Sequence, residues 1–330
     1  MRTVILLLCT LQIASAATLS DFGKSVEFAK EDQGFTASDL NGKAVFVLYF
    51  QSWCGICNGW APSAIKAFQK AHSAKDGFIF IALKTDGGSV KAAKKFFESK
   101  GGDSSRWLVG VDNKAALYKK HFKKTGLWEY MLIDQKGEIK KKSNFGAFFK
   151  IGGKKVWSIQ GKHFLQGFPK ISGSIKIPTQ PQLKKAATFV ELGQYNKAFS
   201  LIKSAKVDNK IKAEFQNTVN TIVENKLVSS IKLLKDDKAS SWERFQAMEF
   251  VNKVKYLRVK GVKEALSVAN KARTVKEISN EQRASKEYLR IMSKYKPGSK
   301  RSVESTEKSL KNLANNFPDT HYGKLASKGL

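Results

Sequence analysis

Cysteine, acidic residues and proline are all scarce in this chain. Of its 330 residues only three are cysteine, at positions 9, 54 and 57, and six are proline. Aspartate and glutamate total 28 against 59 lysines and arginines. No stretch reaches the roughly 20 apolar residues that a membrane-spanning helix needs, the N-terminal run included. The residues offer no Ser-His-Asp set, no Gly-rich phosphate loop and no paired-carboxylate site. The four histidines, at 72, 121, 163 and 321, stand in no finger-type spacing with the cysteines, so a tetrahedral zinc site lacks two of its ligands. No metal and no cofactor is expected. His72 and His121, beside lysines on helical stretches, read as surface residues.

What is present suits two folded domains. The chain is too long for one ordinary core, and 42% hydrophobic with 26% charged residues reads as globular. Residues 1–17 read as a secretory signal peptide: Arg2 opens it, "VILLLC" begins the apolar run, and "ASA" at 14–16 supplies small residues for cleavage. The expected location is therefore periplasmic or secreted, and soluble. Cys9 leaves with the signal, so the mature protein keeps only Cys54 and Cys57, in a compartment where disulfides persist. The net charge of +31 attracts anionic surfaces. The lysines are scattered in pairs, as on a generally basic solvated face. Residues 148–164, "FFKIGGKKVWSIQGKHF", interleave basic and aromatic residues, which suits cell-envelope anions; no nucleic acid is expected.

Along the chain, "GKAVFVLYF" (42–50) predicts a central strand covered on both faces. Residues 54 to about 72 follow with a helical stripe of Ile65, Phe68 and Ala71. A buried strand at 77–83 and a helix ending at the glycine pair 101–102 come next. A short strand at 107–112, a helix "KAALYKKHF" and a hairpin over 130–145 turning at Gln135, Lys136 and Gly137 complete a mixed central sheet flanked by helices. The composition then changes. "SIKIPTQPQ" carries two of the prolines and predicts a linker over 174–182. Beyond it, helical periodicity predicts an all-α helical-hairpin domain over 183–330, in the style of tetratricopeptide repeats. The α/β domain is expected over 18–173.

Cys54 and Cys57 lie in "FQSWCGICNGWAP" (50–62). Two cysteines separated by two residues can be bridged where the backbone turns, as in the first turn of a helix. That leaves the leading sulfur exposed at the helix N-terminus and the second tucked one turn inward. Unpaired N–H groups and the helix dipole favour negative charge there, which populates the attacking thiolate near neutral pH. The second thiol then resolves the mixed disulfide. A loop this small adds little as a structural staple.

The stretch "SDLNGKAVFVLYFQSWCGICNGWAP" resembles the thioredoxin superfamily, in particular the exported TlpA/ResA-like thiol-disulfide oxidoreductases. Gly42-Lys43, Trp53-Cys54-Gly55-Ile56-Cys57 and Pro62 carry the resemblance, which extends over about 35–146. It implies an α/β thioredoxin-like fold, Cys54 as nucleophile, Cys57 as resolving thiol, and a kink at Pro62. Three positions depart from the family. Trp128 stands where a cis-proline is usual, Leu48 where many members carry a buried acid, and Ile56 where Pro or His is common. The function implied is exchange of disulfides with cysteine-containing envelope or secreted proteins, with an external electron donor or acceptor. The alternative is a non-catalytic binding or scaffold protein that holds a protein partner on its helical C-terminal domain.

Overall fold

The computed structural model describes residues 25–29, 37–40, 42–72, 77–122, 128–135, 137–145, 175–295 and 299–329. The expected signal peptide and the basic-aromatic stretch 148–164 lie outside the described residues. Contacts divide the chain into two compact units, 1–215 and 216–330.

The first unit is built on a six-stranded sheet: β1 (Val26–Phe28), β2 (Ala44–Phe50), β3 (Phe78–Lys84), β4 (Trp107–Asp112), β5 (Glu129–Ile133) and β6 (Ile139–Asn144). The spatial order is β1-β4-β3-β2-β5-β6. β2, β3 and β4 run parallel, and β1, β5 and β6 are antiparallel to their neighbours. This is the mixed central sheet of a thioredoxin-like domain. Every residue of β2, β3 and β4 is buried, as continuous apolar runs require when both faces are covered. β1 was not legible in the sequence. It reaches β4 at Gly110, where a Cβ would come within 2.7 Å of the Glu27 carbonyl oxygen.

Three helices connect the strands: α1 (Gly55–His72), α2 (Val90–Ser99) and α3 (Ala116–His121). Ala44, Phe46, Leu48 and Phe50 of β2 share one core with Cys57, Ala61, Ala64, Ile65 and Phe68 of α1. Phe46 stacks on Tyr130 of β5 at 5.5 Å and meets Phe68 at 4.6 Å, within the range where aromatic pairs attract. Ile65 and Phe68 of the expected stripe are buried; the Ala71 and His72 side chains lie outside the described set. The β5–β6 hairpin turns at Gly137, whose φ of +82° only glycine adopts readily.

The helices after the sheet begin with α4 (Pro181–Glu191) and α5 (Tyr195–Ser204). Pro181 and Gln182, expected in a linker, form the first turn of α4, where a proline needs no N–H partner. This hairpin groups with the sheet, so the compact units part at 215/216 rather than at 174–182. A buried ion pair ties α4 to the sheet. Arg106, wholly buried, donates to the Glu191 carboxylate at 3.0 Å, to Thr188 at 3.2 Å and to the Phe78 carbonyl at 2.9 Å. The Gly77 N–H adds a 2.7 Å bond to Glu191. Burial pushes the Glu191 carboxyl up against the downward pull of Arg106.

α6 (Asn209–Lys235) spans the division, and α7 (Ser241–Val254), α8 (Val262–Ala272), α9 (Lys276–Lys294), α10 (Lys300–Asn316) and α11 (His321–Ala326) complete the second unit. Its core includes Ala284, Ile291, Leu310, Leu313 and Ala326. No helix among the described residues is long and apolar enough to cross a membrane.

Candidate active site

β2 ends at Phe50, and the chain turns through Gln51, Ser52 and Trp53 before α1 starts at Gly55. Cys54 is therefore the N-cap residue of α1. Its carbonyl accepts the Asn58 N–H at 2.9 Å, the first bond of the helix. Its Sγ faces the Cys57 N–H at 3.4 Å, the amide that an N-cap side chain ordinarily satisfies. Cys54 and Cys57 form a disulfide with Cα atoms 5.2 Å apart.

The expected exposure of the leading sulfur is corrected. Cys54 is only 5% exposed and Cys57 not at all. The disulfide lies in the same apolar cluster as Phe50, Phe97 and Trp128. Its two flanking residues are open instead, Trp53 at 59% and Ile56 at 78%. Gly55 leaves open space where a Cβ would stand. Pro62 lies inside α1, and the helix continues through it to His72.

Trp128 is wholly buried. Its ring contacts Phe50 at 5.4 Å and Trp60 at 5.9 Å. Its Nε1–H donates to the Gln51 carbonyl at 3.2 Å, and its own carbonyl accepts the Phe145 N–H at 2.7 Å. It is a core aromatic that braces the strand-to-helix turn. Leu48 is buried as well, so no acid stands at that position. His121 is half-buried.

The residues that sequence reasoning missed lie at the end of β3. Asp86 accepts from the Ser52 N–H at 2.9 Å and from the Ser52 hydroxyl, and pairs with Lys84 at 2.7 Å. Burial pushes the Asp86 carboxyl up, but the hydrogen bonds from Lys84 and Ser52 outweigh it and hold the group below its ordinary value. Lys84 also donates to the Gly87 carbonyl at 2.6 Å. Gln51 donates to Thr85 Oγ1 at 3.0 Å, and Asn58 of α1 donates to the Ser52 carbonyl at 2.9 Å. Among the described residues, no group of three or more His, Cys, Asp or Glu could hold a metal ion.

Residues 15–146 match the family model described as Redoxin. The match covers less than half of the chain. Together with the disulfide at the head of α1, that match supports the chemistry of a thiol-disulfide oxidoreductase. No curated protein matches the chain. Among solved structures, it is similar to a secreted Mycobacterium tuberculosis disulfide oxidoreductase homologous to E. coli DsbE, at 18% identity over 39% of this chain and 85% of that one, with a TM-score of 0.29. It is similar also to StoA from Bacillus subtilis, at 20% identity over 36% and 87%, TM-score 0.28. A putative thiol:disulfide interchange protein DsbE from Chlorobium tepidum shares 25% identity over 32% and 71%, TM-score 0.27. At such scores the fold assignment rests on the sheet order and the Redoxin match.

Proposed function

We propose that the chain is an exported thiol-disulfide oxidoreductase in which Cys54 is the nucleophile and Cys57 the resolving thiol. The observation that carries this reading is the seat of Cys54 at the N-cap of α1, with its sulfur 3.4 Å from the Cys57 N–H at the helix end. Once the pair is reduced, that N–H and the helix dipole favour the Cys54 thiolate. The thiolate attacks one sulfur of a client disulfide, forms the mixed disulfide and releases one client thiolate. Cys57, as thiolate, then attacks Cys54 Sγ, restores the intramolecular disulfide and releases the second client thiolate. Two electrons pass from the pair to the client. The reverse sequence oxidises a client dithiol. An external donor or acceptor resets the pair, since the sequence holds only one further cysteine, Cys9, in the expected signal peptide.

The clients on this reading are cysteine-containing envelope or secreted proteins. The exposed side chains of Trp53 and Ile56 beside a nearly closed disulfide suit apolar segments around a client cysteine. The helical C-terminal region, tetratricopeptide-like in this reading, holds a protein partner.

A second reading, a binding or scaffold protein with a permanent disulfide, is favoured by one observation: Cys54 is 5% exposed. The test is reduction of insulin, and oxidation of a dithiol peptide, by the mature protein alongside Cys54→Ser. Turnover that disappears in the variant is the outcome expected of the enzyme. No turnover in either direction, with a 54–57 bridge that survives mild reductant, selects the scaffold.

A further inference from the structure

The turn that delivers Cys54 to its helix is only three residues long, 51–53, and three elements hold it. Trp128 from the start of β5 binds the Gln51 carbonyl at 3.2 Å. Asn58 from the second turn of α1 binds the Ser52 carbonyl at 2.9 Å. Asp86, just beyond β3, takes both the N–H and the hydroxyl of Ser52 on a single oxygen. Ser52 is therefore gripped on its carbonyl, its amide and its side chain, two residues before the sulfur. Trp128 and Asn58 each make one bond to this turn, while Asp86 makes two.

Asp86 is itself fixed. Lys84 reaches it at 2.7 Å and anchors on the Gly87 carbonyl at 2.6 Å, so cation and carboxylate are tied to the same β3 exit. Both side chains are largely buried, at 9% and 14% exposure. A charge-assisted acceptor in such a setting is stronger and stiffer than a neutral one. The cysteine loop is thus referred to the end of the neighbouring parallel strand, which pairs with β2 along its whole length.

We propose that Asp86 is a positioning residue for Cys54: by holding Ser52, it sets the angle at which Cys54 enters the first turn of α1 and aims its sulfur at the Cys57 N–H. The proposal rests on the thiol-disulfide reading and assigns no proton transfer to Asp86. Loosening the turn lets the Cys54 sulfur drift from the N–H that favours its anion. Loss of charge alone acts the other way. An unpaired Lys84 beside the site favours the thiolate, so a positional role and a merely electrostatic one differ in sign.

The experiment is the pH profile of iodoacetamide alkylation at Cys54, read by peptide mass spectrometry on the reduced full chain. It is run for wild type, Asp86→Leu, Asp86→Asn and Ser52→Ala. A positional role lowers the thiolate fraction at neutral pH about tenfold in Asp86→Leu, as a one-unit rise in pKa does. Asp86→Asn, which keeps an acceptor for Ser52, falls between Asp86→Leu and wild type. Ser52→Ala removes only the hydroxyl arm, leaves the fold intact and gives the same direction of change should Asp86→Leu not fold. Profiles that coincide with wild type in both Asp86→Leu and Ser52→Ala, or that move towards more thiolate, overturn the proposal while leaving the redox reading in place. A wild-type Cys54 that titrates like free cysteine, without turnover, overturns both.

Discussion

The two cysteines are unequally placed, with the Cys57 N–H 3.4 Å from the Cys54 sulfur at the head of α1. Cys54 caps the helix and Cys57 is sealed one turn inside it. Replacing Cys57 with serine removes the thiol proposed to resolve the exchange, so a mixed disulfide between Cys54 and a client is expected to accumulate; non-reducing electrophoresis detects it as a band shifted by the client's mass. Trp128 is tested by stability. Truncation to alanine empties a fully buried site that contacts Phe50, Trp60 and Phe96, at a cost of about 3–5 kcal/mol in urea unfolding. At this scale the cysteine pair was legible because its spacing is chemical information in itself. The grip of Asp86 on Ser52 was not, because the partners stand 34 residues apart and an aspartate before two glycines reads as an ordinary turn. The burial of Cys54 was equally hidden, since the apolar cluster that holds it draws residues from distant parts of the chain, Phe97 and Trp128 among them.

At the scale of elements, continuous apolar runs made β2, β3 and β4 readable, and the Gly137 turn made the β5–β6 hairpin readable. β1 has three residues, only one of them buried, too short a pattern to register. Helix ends carry their own signals. Ser240 and Glu243 form a reciprocal capping box at the start of α7, so Ser240→Ala costs about 1 kcal/mol of stability in the helical unit. The docking of α4 gives a dependence on acidity. Asp103 pairs with Lys184 at 2.7 Å. Burial raises its carboxyl, but hydrogen bonds from Lys184 and Ser105 outweigh this and leave the group lowered. A lowered acid stabilises the fold fully above its unfolded value and loses that contribution as pH falls through the folded one. The difference in urea midpoint between wild type and Asp103→Asn is therefore expected to be largest at neutral pH and to shrink on acidification.

For the whole molecule, the composition shift near residue 174 marks the change from mixed to helical structure. It does not mark where the first compact unit stops. That unit continues through α4, where Glu191 supplies the anion for Arg106, wholly buried and 4.8 Å from the Phe80 ring. The clue was present as one acid inside the apolar run "ATFVEL", but no local pattern says which cation it meets 85 residues away. Glu191→Ala strands the guanidinium, and the expected loss is about 3–5 kcal/mol by urea unfolding. The double replacement of Arg106 and Glu191 by apolar residues of similar volume recovers much of it.

This arrangement constrains how the gene could be shuffled. A recombination event that moved the redox module to another tail would succeed only if the exchanged piece ran past codon 191. Cut at the visible change in composition instead, the transplanted module would carry an orphaned cation in its oily interior and fail before any chemistry began.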